Sequence, residues 1–175
     1  MSPAPSSYTF EPLADHDRAS FSCGVAQLDA YLRVQAGQDA RRRVAAPFVM
    51  VDAAKRVVGY YTLSAYGIRL TDLPPQVAKK LPKYPLLPAT LLGRLAVSRE
   101  HRGQKLGRLL LMDALWRSWK NTKQVASAGV VAEAIDAAAL EFYRHHEFAS
   151  LAEHPQKLFI AMATIEKAFS LTRGG

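Results

Sequence analysis

Cysteine and long apolar runs are nearly absent from this sequence, and each absence excludes a class of protein. Cys23 is the single cysteine, so no disulfide can form within the chain. No uninterrupted apolar segment approaches the roughly 18 residues of a membrane span. The first thirty residues also lack the apolar core of a signal peptide. Together these absences predict a cytoplasmic protein with no membrane partner.

Acidic residues are scarce relative to basic ones. The 175 residues include 15 Asp and Glu against 23 Lys and Arg, which gives a formal net charge of +8. Such a surplus favours an anionic partner, either nucleic acid or a phosphorylated cofactor. The length suits one domain with a buried core, and no repeat or shift in composition marks a second. We therefore expect residues 1–175 to form a single domain, with residues 1–7 as a loose tail.

The first half of the chain predicts strands around one helix. An extended segment is expected over Tyr8 to Leu13, and "PFVMVD" and "VVGYYTLSAYGIRL" read as a hairpin around "AAKR". Between them, apolar spacing predicts a helix capped by Ser22 and ended by Arg41 to Arg43. The apolar positions of this helix are Val25, Leu28, Tyr31, Leu32 and Ala36.

The second half alternates strands and helices. Five of the ten prolines lie between Pro74 and Pro88, which indicates an ordered loop or short helix. "ATLLGRLAV", "VASAGVVAEA" and "KLFIAMATI" read as strands, and "IDAAALEFYRHHEF" reads as a helix. A further helix from Lys105 directs Leu106, Leu109, Leu110, Met112, Leu115 and Trp116 toward a core. This order predicts a mixed α/β sheet covered by helices.

The turn "VSREHRGQKLGRLLL" joins a strand to a helix and carries glycines and basic residues. Backbone N–H groups at the first turn of a helix suit a phosphate, and Arg102 and Lys105 would add positive charge. Gly103 and Gly107 allow the backbone to approach closely. The spacing fits neither a Walker loop nor a dinucleotide fingerprint. Pattern alone leaves a second interpretation equally open, a basic helix start whose glycines serve packing.

Two segments resemble motifs of the GNAT-type N-acetyltransferases. "RGQKLG", residues 102–107, occupies the six positions of the acetyl-CoA motif R/Q-x-x-G-x-G/A, with Lys105 where the inner glycine is usual. "AAALEFYRHHEF" resembles the later segment A-x-x-F-Y-x-x-x-G-F, with Ala139, Phe142, Tyr143 and Phe148 matching and Glu147 replacing glycine. The resemblance implies the GNAT acyltransferase fold, a mixed and mostly antiparallel central sheet flanked by helices.

A narrower resemblance rests on "FSCGVAQLDAYL", "LLGRLAV" and "KLFIAM". Together they are similar to the acetyltransferase toxins of bacterial toxin-antitoxin pairs. The resemblance implies acetyl-CoA as acetyl donor, no metal, and transfer to the amino group of aminoacyl-tRNA, which blocks translation. It also implies a homodimer and a ribbon-helix-helix antitoxin partner, possibly with operator DNA as a complex.

The same resemblance assigns roles to residues. Tyr143 would be the acid that protonates the departing thiolate. Acetyl-CoA would be held by Leu95, Ala96, Val97, Arg102, Gly103, Gln104, Lys105, Leu106, Gly107 and Arg108. A backbone N–H of Leu95 to Val97 would hold the thioester oxygen. The strand Ala89 to Ser98 contains no carboxylate base, which suits an α-amino group with a pKa of about 7.7 to 8.0 better than a lysine amine at about 10.4.

The surplus basic residues predict, as a group, contact with tRNA phosphates, whereas any single one of them is more often a solvated surface charge. The candidates are Arg41, Arg42, Arg43, Lys79, Lys80, Lys83 and Arg94, with Arg99 and Arg108 as further members of the basic set. Two other functions stay open. One is acetylation of a small-molecule amine or a protein N-terminus, and the other is RNA binding without catalysis.

Other polar residues have an ordinary structural explanation that we favour. Glu133 and Asp136 are expected to be solvated or capping residues instead of catalytic bases. Cys23, without an evident histidine partner, is expected to pack instead of acting as a nucleophile. His145 and His146 point apart on a helix, which argues against a metal pair. Tyr60, Tyr61 and Tyr66 are expected in the core or across strands instead of stacked on bases.

Overall fold

The computed structural model describes residues 7–171. Its strands are β1 (Thr9–Pro12), β2 (Ala46–Val51), β3 (Val57–Arg69), β4 (Leu86–Val97), β5 (Gly129–Glu133), β6 (Ala149–Ser150) and β7 (Lys157–Ala161). Its α-helices are α1 (Ala26–Ala30), α2 (Ala36–Arg42), α3 (Pro75–Ala78), α4 (Leu106–Asn121), α5 (Ala137–His145) and α6 (Met162–Leu171). A π-helical segment, Tyr31–Gln35, joins α1 to α2, and 3-10 turns occur at Leu70–Asp72 and Arg99–His101.

The seven strands form a sheet in the order β1-β2-β3-β4-β5-β7-β6. The pairs β1/β2, β2/β3, β5/β7 and β6/β7 are antiparallel, whereas β4 and β5 pair in parallel through Thr90–Leu92 and Val130–Ala132. A parallel pair requires a crossover connection, and α4 lies in the segment that joins β4 to β5. This mixed, mostly antiparallel sheet with helices confirms the predicted fold class.

The described chain divides into two compact units. The first unit contains the described residues through Ser64 together with Arg94–Ala114, and the second contains Ala65–Gly93 and the described residues from Leu115 onward. The elements β3, β4 and α4 each contribute residues to both units. The single domain over residues 1–175 stays a prediction.

The core of the first unit lies between the helical segment 26–42 and strands β2 to β4. Tyr31, Leu32 and Ala36 pack there with the buried strand residues Val49 and Tyr60. Phe21 and Tyr60 meet edge to face, with ring centroids 5.7 Å apart. The helical spacing of these apolar residues therefore does produce the predicted inward face.

The core of the second unit is built from β3, β4, β5 and β7 with the proline-rich segment. Ile68, Leu87, Val131 and Phe159 are buried in it. Pro75 occupies the first turn of α3, where its missing N–H costs no hydrogen bond. The prediction of an ordered loop or short helix between Pro74 and Pro88 is confirmed.

Several local predictions are wrong in detail. Ser22 does not cap the first helix, because the N-cap is Val25 and the Ser22 hydroxyl donates instead to Asp29 at 3.2 Å. Leu109 and Trp116 are 44% and 41% exposed, although both were expected in the core. The last strand ends at Ala161, and the following residues continue as α6, a helix that strand propensity did not indicate.

Two further expectations concern the ends of the chain and membranes. Residues 1–6 of the predicted loose tail lie outside the described residues. Among those that are described, no helix combines the length and apolarity needed to cross a membrane.

Candidate functional site

The basic turn between β4 and α4 is held in place by backbone hydrogen bonds. The N–H of Ser98 donates to the Val58 carbonyl at 2.9 Å, and the N–H of Arg99 donates to the Ser22 carbonyl at 2.9 Å. A 3-10 turn then leads to Gly103, whose φ of +81° is in the left-handed region that favours glycine. The helix α4 begins at Leu106, so its first-turn N–H groups lie directly after this turn.

Lys105 has a backbone conformation that is ordinarily glycine's. Its φ is +59°, and its side chain is exposed. A non-glycine residue in the left-handed region costs roughly 1–2 kcal/mol. At the inner position of the motif, Lys105 therefore has a left-handed backbone that glycine would adopt without this cost. What differs from the motif is an added cation at that point.

Arg102 connects the turn to the loop before the first helix. Its Nη2 donates to the carbonyl of Cys23 at 2.9 Å. Gly24 follows with φ +90°, and a Cβ there would lie 2.9 Å from that same Nη2. One of the five guanidinium N–H donors is thereby used, so Arg102 both orders the loop and retains other donors.

Asp29 organises the loop that Arg102 contacts. This carboxylate is 6% exposed, accepts from the Cys23 N–H at 2.8 Å and accepts from the Ser22 hydroxyl at 3.2 Å. Burial raises the pKa of Asp29, but the hydrogen bonds from Cys23 and Ser22 and the charge of Arg33 outweigh it and lower that pKa overall. Asp29 is a residue that sequence reasoning missed, because it reads as an ordinary polar position on a helix.

The rest of the turn combines buried apolar and exposed polar side chains. Leu106 is 3% exposed and anchors the start of α4, while Gly107 is half-buried in its first turn. Gln104 is exposed and accepts a hydrogen bond from the Tyr8 hydroxyl at 3.1 Å. Arg108 is exposed, as are Arg102 and Lys105. Three cations therefore surround a glycine turn with a helix start, an arrangement suited to a pyrophosphate.

The end of β4 lies in the same unit as this turn. Ala96 is buried, and Leu95 and Val97 are half-buried. The next N–H along the chain, that of Ser98, is already bonded to Val58. The role of a backbone N–H of Leu95 to Val97 in holding the thioester oxygen stays a prediction, because β4 is hydrogen-bonded to strands on both sides.

Arg94, on the same strand, lies over an aromatic ring. Its guanidinium carbon is 3.5 Å from the ring centroid of Tyr31, close enough for a cation–π interaction. The Tyr31 hydroxyl donates to Asp39 at 2.8 Å. Sequence reasoning named Arg94 but missed both partners. A π-helical segment begins at Tyr31, and no sequence signal predicts it.

Tyr143 lies in the second unit, on α5. It is 5% exposed, and its ring packs against Phe142 and Phe148 at centroid distances of 5.4 and 5.2 Å. Burial raises the pKa of its phenol well above the ordinary value, so the hydroxyl keeps its proton. Within residues 7–171 this hydroxyl has no hydrogen-bond partner, and it is not among the fully buried unpartnered atoms. A buried ring thus presents a protonated donor.

The turn after Tyr143 repeats the pattern found at Lys105. Glu147 replaces the glycine of the second motif, and its φ is +70°. This conformation lets the Phe148 N–H donate back to the Tyr143 carbonyl at 3.1 Å, and the His146 N–H donates to the same carbonyl at 3.0 Å. The left-handed residue at the helix end therefore closes the turn that supports Tyr143.

The prediction that His145 and His146 point apart is wrong, because their rings meet edge to face with centroids 5.1 Å apart. Asp136, Cys23, Tyr60 and Tyr61 take the structural roles expected of them. Asp136 is the N-cap of α5 and accepts from the Ala139 N–H at 2.8 Å, whereas Glu133 is exposed. Cys23 is 6% exposed, and burial raises the pKa of its thiol. Tyr60 and Tyr61 are fully buried. Within the described part of the chain, no group of three or more His, Cys, Asp or Glu residues could hold a metal ion.

The predicted tRNA-binding residues are divided between the two units. Arg41, Arg42 and Arg43 are exposed at the end of α2 in the first unit, where Arg43 has φ +60° as the C-cap. Lys79, Lys80 and Lys83 are exposed after α3 in the second unit. Each group is a local cluster of exposed cations, and their contact with tRNA phosphates stays a prediction.

Comparison with known proteins adds an independent finding. Residues 45–150 match the family described as "Acetyltransferase (GNAT) domain". A tRNA-acetylating toxin of Mycobacterium tuberculosis (strain H37Rv) is 33% identical over 146 residues, covering 83% of this chain and 86% of that protein. A probable toxin TacT of Sinorhizobium fredii (strain NGR234) is 27% identical over 158 residues, covering 86% and 87%.

Solved structures of toxins share the fold. AtaT complexed with acetyl-methionyl-tRNAfMet is 29% identical with a TM-score of 0.86, covering 93% of this chain and 99% of that chain. AtaTR bound with acetyl-CoA is 30% identical with a TM-score of 0.81, covering 93% and 98%. A tyrosine-to-phenylalanine mutant of AtaT bound to the C-terminus of the antitoxin AtaR is 27% identical with a TM-score of 0.80, covering 93% and 98%.

Proposed function

The chain belongs to the GNAT acetyltransferases and, among them, to the tRNA-acetylating toxins, and from this membership we propose that it transfers acetyl from acetyl-CoA to the α-amino group of aminoacyl-tRNA. Translation would stop because an acetylated amino group cannot attack the next peptide ester. The observation that carries the proposal is the 33% identity to a tRNA-acetylating toxin over 83% of the chain. The AtaT complex with acetyl-methionyl-tRNAfMet supports the same substrate class.

Acetyl-CoA would be held by the turn between β4 and α4. The binding residues we assign are Leu95, Ala96, Val97, Arg102, Gly103, Gln104, Lys105, Leu106, Gly107 and Arg108. The left-handed backbone at Gly103 and Lys105 and the exposed cations fit a pyrophosphate, and AtaTR was solved with acetyl-CoA. The cofactor supplies an activated acetyl thioester. The N–H groups of Leu95 to Val97 would stabilise the negative charge that develops on the thioester oxygen.

The attacking amine needs little help from a base. An α-amino group with a pKa of about 7.7 to 8.0 is partly neutral near pH 7, whereas a lysine amine at about 10.4 is not. No Asp or Glu occurs in β4, where a base would otherwise be expected. This composition supports an aminoacyl ester as the acceptor more strongly than a protein lysine.

Tyr143 would donate the proton that the coenzyme A thiolate takes up as it leaves. The raised phenol pKa keeps the proton available, and the hydroxyl is not engaged by another described residue. The packing of the ring by Phe142 and Phe148 supports a fixed orientation of this donor. A general acid contributes most when its position is fixed before the reaction.

The same relatives indicate a protein partner for this chain. AtaT was solved with the C-terminus of its antitoxin, and we propose that this chain likewise pairs with an antitoxin. A ribbon-helix-helix antitoxin, a complex with operator DNA and a homodimer remain predictions from the family resemblance.

The proposed function is tested by incubating the protein with acetyl-CoA and a mixture of charged tRNAs, then releasing and weighing the amino acids by mass spectrometry. We expect one or a few aminoacyl species to gain an acetyl group. Parallel reactions contain a small amine and a peptide with a free N-terminus. Acetylation of only those two acceptors would contradict the proposal and favour the alternative enzyme. No acetyl transfer to any acceptor would favour an RNA-binding protein without catalysis.

A further inference from the structure

The guanidinium of Arg94 stacks on the ring of Tyr31, and other residues hold that ring in place. The guanidinium lies 3.5 Å from the centroid of Tyr31, a ring that is 7% exposed. Tyr31 stacks on Tyr60 with centroids 6.3 Å apart and planes 15° from parallel. The Tyr60 hydroxyl donates to the Leu28 carbonyl at 2.7 Å. Because each ring is anchored, the plane of the guanidinium is restricted before any ligand arrives.

Asp39 completes the support of Tyr31. Its carboxylate accepts from the Tyr31 hydroxyl at 2.8 Å and from Gln35 at 2.9 Å. These hydrogen bonds and the charge of Arg94 lower the pKa of Asp39, so the carboxylate stays ionised. Among the described residues, no ion pair within 4 Å joins it to Arg94. Asp39 therefore attracts the guanidinium without occupying its N–H groups.

The N–H donors of Arg94 are left without an acceptor. Arg94 is half-buried, and within residues 7–171 its guanidinium makes no hydrogen bond. Its nitrogen atoms are not among the fully buried unpartnered atoms there, so they contact solvent. A guanidinium presents five donors in a planar fork that matches a phosphate or carboxylate. A fixed fork with no internal acceptor is suited to receive an oxyanion from outside.

We propose that Arg94 binds the 3′-terminal phosphodiester of aminoacyl-tRNA and that Tyr31 and Asp39 are positioning residues for it. This inference rests on the proposed function. Arg94 immediately precedes the Leu95–Val97 segment assigned to the thioester oxygen. The last phosphodiester of a charged tRNA is one nucleotide from its amino acid, so it is the anion of the acceptor that must come nearest the reacting bond. Bidentate hydrogen bonds from Arg94 to this phosphodiester would determine how far the aminoacyl end of the tRNA enters the active site.

The test compares two acceptors for each variant. One is charged tRNA, and the other is the methyl ester of the same amino acid, which carries no phosphate. We expect Arg94→Gln to raise KM for charged tRNA by roughly 10- to 100-fold, the loss typical of charged hydrogen bonds. KM for the methyl ester and the affinity for acetyl-CoA should not change. Arg94→Lys should recover only part of the loss because an ammonium cannot stack or bind in a fork.

The positioning role has its own readout. Tyr31→Phe retains the ring under Arg94 but loses the hydroxyl that contacts Asp39, so KM for charged tRNA should rise by about 2- to 10-fold with kcat unchanged. Arg56→Gln is the matched charge control, since Arg56 is an exposed arginine that pairs with Asp52 at 3.0 Å. An equal loss of activity on both acceptors would show that Arg94 is structural.

Three further results distinguish failure of the Arg94 phosphate role from failure of the proposed function. If the parent protein acetylates charged tRNA and Arg94→Gln leaves KM unchanged, the phosphate role is overturned and the function stands. Weaker acetyl-CoA binding by Arg94→Gln would place the guanidinium on a coenzyme phosphate and would also overturn it. If the parent acetylates the methyl ester but not charged tRNA, both the proposed function and this inference fail.

Discussion

The guanidinium of Arg102 and the carbonyl of Cys23 are joined by a hydrogen bond of 2.9 Å. The contact links the turn assigned to acetyl-CoA with a loop 79 residues earlier, and Gly24 leaves just enough room for it. The shape of the turn thus depends on a distant segment as well as on its own glycines.

Replacing Gly24 or Gly103 by alanine should separate the energetic cost of backbone strain from that of losing the contact between Arg102 and Cys23. Gly24→Ala and Gly103→Ala each place a Cβ on a left-handed backbone, at φ +90° and +81°, and each should cost roughly 1–2 kcal/mol. At Gly24 the Cβ also lies 2.9 Å from Arg102, whereas at Gly103 nothing lies within 4 Å. Urea denaturation should therefore show a further loss of about 1 kcal/mol for Gly24→Ala alone. Equal losses would mean that the Arg102 contact contributes nothing.

Replacing Lys105 or Glu147, the two residues that stand where the family motifs have glycine, by glycine should stabilise the protein. Lys105→Gly and Glu147→Gly relieve left-handed strain at φ +59° and +70°. Glycine's extra entropy in the unfolded state offsets part of the gain, so we expect about 0.5–1 kcal/mol in denaturant unfolding. Calorimetry should also show weaker acetyl-CoA binding for Lys105→Gly, which loses a cation, and unchanged binding for Glu147→Gly. Tighter binding by Lys105→Gly would show that this lysine hinders the cofactor.

Binding of charged tRNA should depend steeply on salt. Each phosphate contact contributes about 0.7 to 0.9 to the slope of log K against log salt concentration. Replacing Arg41 and Arg42 by Gln and Arg43 by Asn should flatten that slope. Asn is chosen because it tolerates the left-handed φ of +60° at Arg43. Arg56→Gln serves as the control outside this group. A slope that the triple variant leaves intact would assign the arginines to another partner.

Tyr143→Phe should preserve the fold and acetyl-CoA binding because ring and volume are retained. It removes the proton donor, so single-turnover acetylation of charged tRNA should fall by about 10²–10⁴-fold. Tyr84→Phe is a matched control, since Tyr84 is 65% exposed and has no assigned role. If the Tyr143→Phe rate stays within about threefold of the parent, another group supplies the proton.

Asp29 should make stability depend on pH in the acidic range. Its pKa is lowered in the folded state, so its contribution is present above the unfolded value of about 3.9 and is lost as pH falls through the folded pKa. Asp29→Asn should lower the free energy of unfolding by about 1–3 kcal/mol at neutral pH. Denaturation at several pH values should show the two proteins converging below about pH 4. A gap that stays constant with pH would exclude a role for the charge.

The family and the order of most elements could be predicted before the structure was known. The glycine turn, the "EFY" segment and the alternation of strands and helices are local patterns that depend on backbone propensity and on spacing. They were sufficient to predict the sheet and the helix after the glycine turn, whereas the candidate roles of Arg102 to Arg108 and Tyr143 came from the resemblance to acetyltransferases. Predictions failed where tertiary packing overrides propensity, as in α6 and at Leu109 and Trp116.

Packing in three dimensions determines how Lys105 and Glu147 fit into their motifs and where the side chains of Arg94 and Arg102 lie. Sequence left open what Lys105 and Glu147 do to their motifs, because a residue's φ is imposed by the surrounding turn. Both residues have a left-handed φ that glycine adopts without strain. The placement of Arg94 over Tyr31, and of Arg102 against Cys23, joins residues 63 and 79 positions apart. Such contacts arise when strands and helices pack, and no local pattern encodes them.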